Sequence, residues 1–219
     1  ARIETGEPYI IYIDTGNRQI PQHHKLAGLT VKTSNLCSEI TLPTGIDKEG
    51  RDRTAVCCLS SLNVEKYDEW KDDEKFVDDV MRFLDNVLSD FIKNAPEEFS
   101  DAVYSATKER SVGLGVMGLH SYFQKKMFPL ESVMSKVWNK KIFKNIDEKV
   151  NKASKDLAEE RGACPDAEEF GIKERFSNKT AIAPTASISI ICGGASPGIE
   201  PIAANSYTHK TLSLSLIHI

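Results

Sequence analysis

The sequence predicts an α/β domain, of which this chain holds part. Strand-like segments rich in β-branched and apolar residues lie in the N-terminal and C-terminal thirds, and helical periodicity dominates the residues between them. The composition, with 40% hydrophobic and 27% charged residues, is typical of a globular protein rather than of a disordered one.

The N-terminal third alternates between strand-like and turn-like segments. Residues 8–13 are rich in Tyr and Ile and predict a buried strand, and the apolar run at 54–62 predicts another. Between them we expect a loop over 14–29, an extended segment over 30–42 and a polar turn region over 43–53.

Helices dominate the middle of the chain. Apolar residues at helical spacing behind an acidic first turn predict a helix over 73–93, and further helices are expected over 113–126 and 131–160. Gly162 and Pro165 provide a stop signal for the last of these.

The C-terminal part returns to strand-like sequence. Residues 180–191 predict an apolar strand, and a glycine-rich loop follows over 192–198. The last six residues, 214–219, match the translation of a transposon adapter used for sequencing libraries. We expect them to be a non-native tail.

Charge and cysteine usage narrow the function class. A net charge of −4 argues against a protein that binds the phosphates of a nucleic-acid polymer. The chain has five cysteines, an odd number that cannot all pair in disulfides within the chain. We identify neither a signal peptide nor an apolar run long enough to cross a membrane. We expect a cytoplasmic chain, away from membranes, whose reduced thiols are available for chemistry.

The first candidate site is the segment around Cys37. In an extended chain, Asn35, Cys37 and Glu39 would share one face, while Leu36 and Ile40 would point into packing. An amide, a thiol and a carboxylate on one face form a plausible site. Taken alone, the segment is more typical of a half-exposed strand or loop with a buried free cysteine, because a free cysteine is usually a small core residue.

Cys57 and Cys58 form the second candidate. Neighbouring residues of a strand face opposite ways, so these thiols are badly placed to bond each other. Either both are core residues, or one packs while the other faces a pocket. A zinc site is a weaker alternative, because the usual two-to-four-residue spacing between ligands is missing.

Two further motifs concern phosphates. The hydroxyls and backbone N–H groups of residues 183–189 are suited to bind a phosphate, although a Ser/Thr-rich strand end is the simpler interpretation. Gly113, Gly115 and Gly118 match a dinucleotide-binding GxGxxG pattern, but the residues before them are polar and not strand-like. We expect these glycines to permit close helix packing instead.

Taken together, these segments resemble the large, catalytic subunit of aerobic, two-subunit ribonucleotide reductases over nearly the whole chain. The motifs that carry the resemblance are, in order, Asn35-Leu-Cys-x-Glu39-Ile with Leu42-Pro-Thr, Cys57-x-Leu-Ser-x-x-Asn63, Arg110 to His120, Gly162-Ala-Cys-Pro165, Pro184-Thr-Ala-Ser187, Gly198-Ile-Glu-Pro201 and Lys210-Thr-Leu-Ser213.

The resemblance implies a fold and a set of roles. Residues 1–213 would be part of a catalytic α/β barrel of ten strands in two five-stranded halves, with the cysteine loop at its centre. Cys37 would carry a thiyl radical that takes the 3′ hydrogen, and Glu39 would accept the 3′-hydroxyl proton. Cys57 would be one of two reducing thiols, since its spacing to Leu59 and Ser60 favours it over Cys58. The substrate contacts would come from Ser34 and Asn35 for the sugar and from Thr185, Ala186, Ser187 and Ile188 for the phosphates.

The resemblance also implies partners. A metal-containing small subunit would supply the radical, so that this chain binds no cofactor directly, and thioredoxin or glutaredoxin would reduce the thiols again. The full-length subunit would form a homodimer. The second redox cysteine, the allosteric regions, the radical-transfer tyrosines and a reducing tail are expected outside this chain, which alone should be inactive.

Two alternatives stay open. A cobalamin-dependent ribonucleotide reductase would keep the reaction and take its radical from adenosylcobalamin. A non-catalytic, thiol-rich nucleotide-binding module would not need Glu39 beside Cys37. Replacement of Glu39 by Gln in the full-length protein separates an enzyme from such a module.

Overall fold

A computed structural model describes residues 2–204, 206, 208–210 and 216–218. The helices of eight residues or more are α5 (Phe76–Asn94), α6 (Ser100–Glu109) and α8 (Val133–Arg161). The shorter helices are α1 (Arg2–Thr5), α2 (Ile13–Gln19), α3 (Gln22–Leu26), α4 (Tyr67–Trp70), α7 (Leu119–Lys125), α9 (Pro165–Glu168) and α10 (Ile188–Ile191). The strands are β1 (Gly45–Ile46), β2 (Asp52–Arg53), β3 (Leu59–Asn63), β4 (Gly113–Met117), β5 (Thr208–Lys210) and β6 (Leu216–His218). No helix in these residues is both long and apolar enough to cross a membrane.

Two parallel strands form the centre of the fold. β3 pairs with β4 from Leu59 opposite Gly113 to Asn63 opposite Met117. An isolated parallel bridge between Leu114 and Thr180 adds a third segment on the other side of β4. Parallel neighbours joined through helices are the arrangement expected of an α/β domain.

Helices α5 and α8 cover one face of these strands. The buried side chains of α5 and α8 belong to one apolar core with the strands. These helix residues are Val77, Met81, Leu84 and Leu88 of α5 and Ile142, Ile146, Val150 and Leu157 of α8. The Asp73 carboxylate accepts the N–H of Phe76 at the start of α5, and Ser132 accepts that of Ser135 at the start of α8. Ser132 is therefore the N-cap of α8, whereas the Asp73 carboxylate stabilises the turn that precedes α5.

A buried carboxylate joins these helices electrostatically. Asp85 of α5 is fully buried and accepts hydrogen bonds from Arg110, Arg161 and Arg175. Burial alone would raise the pKa of Asp85, but the arginines, Arg175 first among them, hold it below its ordinary value. The carboxylate therefore stays ionised in the core and links α5 to the ends of α6 and α8.

The predicted helices over 73–93 and 131–160 are confirmed as α5 and α8. The turn region over 43–53 is confirmed as the short β1–β2 hairpin. These segments carry their own periodicity or turn residues, so local sequence was sufficient to identify them.

The N-terminal predictions were wrong. Residues 8–12 have no regular structure, and their Tyr and Ile side chains are exposed. The expected loop over 14–29 contains α2 and α3. β-Branched and aromatic residues favour a strand only where a neighbouring strand provides hydrogen bonds, and no described segment pairs with residues 8–12.

Three other predictions need correction. The helix expected over 113–126 is β4 followed by α7, divided at Gly118 with its φ of 79°. The strand expected over 54–62 begins only at Leu59. The strand expected over 180–191 contributes one bridge at Thr180 and then ends in α10. Helix α6 was not predicted.

Strands β5 and β6 pair in antiparallel fashion, with Thr208 opposite His218. The pairing includes part of the 214–219 segment. Whether that segment is native stays a prediction.

Candidate functional site

The Cys37 loop, residues 34–40, is a tight turn and not an extended strand. Ser38 has a φ of 65°, and its N–H donates to the Asn35 carbonyl at 3.0 Å. Cys37 consequently lies at the exposed tip of the turn with a free thiol. A left-handed residue at this position reverses the chain and presents Cys37 away from the backbone of the loop.

Hydrogen bonds within the loop bring its polar side chains together. Asn35 Nδ2 donates to Glu39 Oε2 at 2.8 Å, and Asn35 Oδ1 accepts the N–H of Ile40 at 3.1 Å. Ser34 Oγ donates to the Ile40 carbonyl at 2.7 Å. Asn35 and Glu39 therefore meet, as the sequence predicted, but through a closed turn and not by strand alternation. Ile40 is buried as expected, whereas Leu36 is 83% exposed and does not pack.

Cys57 and Cys58 occupy different environments. Cys58 is buried and its Sγ lies 3.8 Å from the Leu84 carbonyl, so it belongs to the core beside α5. Cys57 is exposed. Partial burial raises the pKa of Cys57, and the nearby negative charges of Glu39 and of a Cys37 thiolate raise it further. Cys37, Glu39 and Cys57 thus lie close enough to act on one another.

A small cavity lies beneath the end of the Cys37 loop. Its walls come from the end of the loop, from the chain leading into β3 and β4, and from the segment beside β4. The polar residues on these walls are Glu39, Thr41, Ser111, Asn178 and Thr180.

The expected phosphate segment is a turn followed by α10. Thr185 has a φ of 53°, and its hydroxyl accepts the N–H of Gly198 at 2.7 Å. Ala186, Ser187 and Ile188 are exposed. The buried Thr185 hydroxyl is therefore already used inside the fold, while the next three residues are accessible.

Strand β3 connects the two groups of candidate residues. Cys57 precedes its start, whereas Asn63 at its end contacts the Cys192 carbonyl at 3.4 Å just after α10. The phosphate segment thus lies near the carboxyl ends of β3 and β4, the edge at which parallel strands usually present binding loops.

The glycine pattern at 113–118 serves strand packing. A Cβ on Gly115 would collide with the backbone of Ala181, and one on Gly113 would collide with the side chains of Leu59 and Ala181. The glycines therefore allow the 180–183 segment to approach β4, and the expected helix packing was wrong. Because Gly113 and Gly115 lie inside β4, and the residues before β4 form α6 and not a strand, the pattern forms no dinucleotide-binding turn.

Sequence reasoning missed a group of buried charged residues below the loop. The buried charge cluster consists of His24, Arg53, Glu109 and Asp166. Its members are far apart in sequence and belong to no motif. In the described residues, no three His, Cys, Asp or Glu side chains are grouped so that they could bind a metal.

Comparison with known proteins identifies the family. The model of the family described as "Ribonucleotide reductase, barrel domain" matches residues 1–174 and 166–219. The ribonucleoside-diphosphate reductase large subunit of Invertebrate iridescent virus 3 is 49% identical over 216 residues, which are 99% of this chain and 33% of that protein. The large subunit of Invertebrate iridescent virus 6 is 49% identical over 83% of this chain and 18% of its own length.

A solved structure agrees in fold. The alpha subunit of the class Id ribonucleotide reductase of Actinobacillus ureae superposes with a TM-score of 0.85 at 39% identity, over 93% of this chain and 38% of that one. The chain spans about a third or less of the curated relatives it matches. The chain belongs to the ribonucleotide reductase barrel-domain family and comprises part of that barrel.

Proposed function

We propose that this chain is part of the catalytic large subunit of a ribonucleoside-diphosphate reductase, an oxidoreductase that replaces the 2′-hydroxyl of a ribonucleotide by hydrogen. The activity belongs to the whole protein, of which the chain holds a third by comparison with its relatives. The observation that carries the proposal is an exposed Cys37 two residues from a Glu39 carboxylate that Asn35 holds by a hydrogen bond, on this family's fold.

Cys37 and Glu39 take the first step. Cys37 at the exposed tip of its loop carries the radical and removes the 3′ hydrogen atom of the ribose. Glu39 accepts the proton of the 3′-hydroxyl as general base, which requires a carboxylate within hydrogen-bond reach of the sugar. Asn35 fixes Glu39 through its amide, and Ser34 supports the loop through the Ile40 carbonyl. A carboxylate fixed in advance loses less entropy when substrate binds.

Cys57 supplies the reducing equivalents together with a second thiol from outside this chain. The 2′-hydroxyl leaves as water, the two thiols become a disulfide, and Cys37 returns the hydrogen to the 3′ carbon. The raised pKa of Cys57 keeps its thiol protonated at neutral pH. A protonated thiol still carries the hydrogen that this reduction consumes.

The segment Thr185 to Ile188 holds the substrate phosphates. Ala186, Ser187 and Ile188 are accessible and follow a left-handed Thr185 that is tied to Gly198. Backbone N–H groups and hydroxyls in such a turn are suited to phosphate oxygens without a lysine.

The partners follow from the same assignment. A metal-containing small subunit provides the radical, thioredoxin or glutaredoxin reduces the disulfide, and two large subunits form a homodimer in the cytoplasm. Adenosylcobalamin is the alternative radical source. Turnover by the full-length protein with the small subunit, or with adenosylcobalamin alone, distinguishes the two.

The test is Glu39→Gln in the full-length protein, with the exposed Glu97→Gln as its control. We expect Glu39→Gln to lower turnover by roughly 10²-fold or more, since the general base is lost, while binding of a ribonucleoside diphosphate is retained. Glu97→Gln should change neither. A full-length protein that binds nucleotide equally in all three forms and turns over in none would instead be a non-catalytic nucleotide-binding module.

A further inference from the structure

Both ends of the Cys37 loop lead to the buried charge cluster. His24 lies on α3 before the loop, and Arg53 lies on β2 after it. Arg53 donates to both carboxylate oxygens of Asp166, at 2.8 and 2.9 Å. His24 Nε2 lies 3.6 Å from the same carboxylate. The chain segments that precede and follow the loop therefore both contact Asp166, one residue of α9.

Glu109 completes the cluster from the end of α6. Only 2% of it is exposed, and its Oε2 accepts a hydrogen bond from Ser111 Oγ at 2.7 Å. Among the described residues its Oε1 has no hydrogen-bond partner, and the same holds for both ring nitrogens of the fully buried His24. Unpartnered buried polar atoms are costly, so their presence at one place calls for a role beyond stability.

Ser111 connects Glu109 to the cavity beneath the loop. Asn178 Nδ2 donates to Ser111 Oγ at 3.2 Å, and both residues line that cavity together with Glu39 and Thr41. A serine hydroxyl has a single proton. When Glu109 is ionised, that proton is directed to its carboxylate. When Glu109 is protonated, the carboxyl is able to donate, and the Ser111 proton is free to turn toward the loop.

The charges around Glu109 set the pH at which this change occurs. Burial, opposed by His24, Ser111 and Arg53 and assisted by Asp166, raises the pKa of Glu109 from 4.5 to about 7. The element preceding α9 contributes the buried Cys164, whose thiol Glu109 also influences. Asp47 lies on the far side of Arg53 at 2.8 Å and takes up part of its charge.

We propose that Glu109 is a positioning residue that couples the protonation of the buried charge cluster to the placement of the Cys37 loop through Ser111. Its catalytic meaning rests on the proposed function, whereas the placement of the loop does not. Ionised Glu109 holds Ser111 and the cluster in one arrangement beneath Glu39. Neutral Glu109 releases Ser111, and the loop above it is less restrained.

The experiment measures the rate at which iodoacetamide alkylates Cys37 in the full-length protein. The rate is measured at about pH 6 and about pH 8, which lie below and above the pKa of about 7 of Glu109. Mass spectrometry follows Cys37 and, as an internal reference, the exposed Cys192. The variants are Glu109→Gln, which mimics the protonated acid, Ser111→Ala, which keeps the charge but removes the link, and the exposed Glu168→Gln as control.

We expect Glu109→Gln and wild type to react alike near pH 6, where both are neutral. Near pH 8 the alkylation rate at Cys37 should be roughly three times higher in Glu109→Gln than in wild type, because the loop is released. The rate at Cys192 should be the same in both. Ser111→Ala should resemble Glu109→Gln near pH 8. If Ser111→Ala instead behaves as wild type, the effect is electrostatic only and the positioning role is wrong.

Turnover separates this proposal from the proposed function. In an active reductase, Glu109→Gln should lower kcat near pH 8 by about tenfold, since small displacements of reacting groups are costly, with KM unchanged. An inactive full-length protein in which Glu109→Gln still raises the Cys37 rate relative to the Cys192 rate near pH 8 refutes the proposed function but keeps the positioning role. A ratio of the Cys37 rate to the Cys192 rate that is the same in wild type, Glu109→Gln and Ser111→Ala at each pH refutes the positioning role, whatever the turnover.

Discussion

Neighbouring residues of this chain differ sharply in how far they are buried. Cys57 and Cys58 are neighbours in the chain, yet Cys57 is accessible beside Glu39 while Cys58 is part of the core. The sequence allowed this division as one of two alternatives. It could not choose, because whether a thiol is packed depends on α5, which lies more than fifteen residues further along the chain.

His23 should make the stability of the fold depend on pH. Burial and the neighbouring His24 lower its pKa from 6.5 to about 4, and its Nε2 lies 2.8 Å from Ser177 Oγ. The unfolded chain therefore binds more protons than the fold in this range, and stability is lost as the pH falls from 6.5 toward 4. One pKa unit corresponds to about 1.4 kcal/mol.

We expect His23→Gln, which keeps a polar group near Ser177, to flatten this loss. Urea denaturation of the full-length protein at several pH values measures it. Glu109 has the opposite sign, because its raised pKa removes stability as the pH rises from 4.5 to about 7. A slope between pH 4 and 6.5 that His23→Gln leaves unaltered would contradict the assignment.

At the scale of elements, the contact between β4 and the 180–183 segment depends on glycine. A Cβ on Gly115 would meet the Ala181 carbonyl, a backbone atom that has no alternative rotamer. We expect Gly115→Ala to reduce the free energy of unfolding by about 1–3 kcal/mol through overpacking. Gly16→Ala on α2 is the matched control, since its added Cβ meets nothing within 4 Å. Equal stability of the two variants in urea denaturation would show that the segments are not in contact.

The Asp85 network joins α5 to the ends of α6 and α8. Removing its charge leaves Arg110, Arg161 and Arg175 without their common partner. We expect Asp85→Asn to cost about 3–5 kcal/mol, as the disruption of a buried ion pair does. The exposed Asp79→Asn on the same helix should change the midpoint of urea denaturation little. A small effect of Asp85→Asn would mean that the arginines find other partners.

At the scale of the whole molecule, the chain contains only part of a barrel. Its described parallel strands are β3, β4 and the bridge at Thr180, and it spans a third of the length of a relative that matches almost all of it. We expect the 219-residue chain alone to bind nucleotide weakly and to give no turnover, because the proposed function requires a second thiol and a radical source from outside this chain. Single-turnover assays with the small subunit and a dithiol reductant test this. Product from the isolated chain would contradict it, and the full-length protein is the positive control.

The sequence by itself determined the family and the long helices α5 and α8. It also predicted that Cys37, Glu39 and Cys57 belong to one site. Motif order and helical periodicity can be read along the chain, without knowing which segments pack against each other. The tertiary structure decided the rest. Strands at 8–13 and 180–191 failed to form where a pairing partner was absent or ended early, since a strand is stabilised across the sheet and not along the chain.

The Cys37 loop shows the same division on a smaller scale. The sequence indicated that Asn35 and Glu39 meet, but the left-handed Ser38 that brings them together is a matter of backbone geometry. The cluster beneath the loop was invisible in the sequence, because His24, Arg53, Glu109 and Asp166 come together only when α3, β2, α6 and α9 pack. Burial then raises the pKa of Glu109, whereas contacts with His24 and Arg53 hold the pKa of Asp166 below its ordinary value against the effect of burial, and no linear pattern records either change.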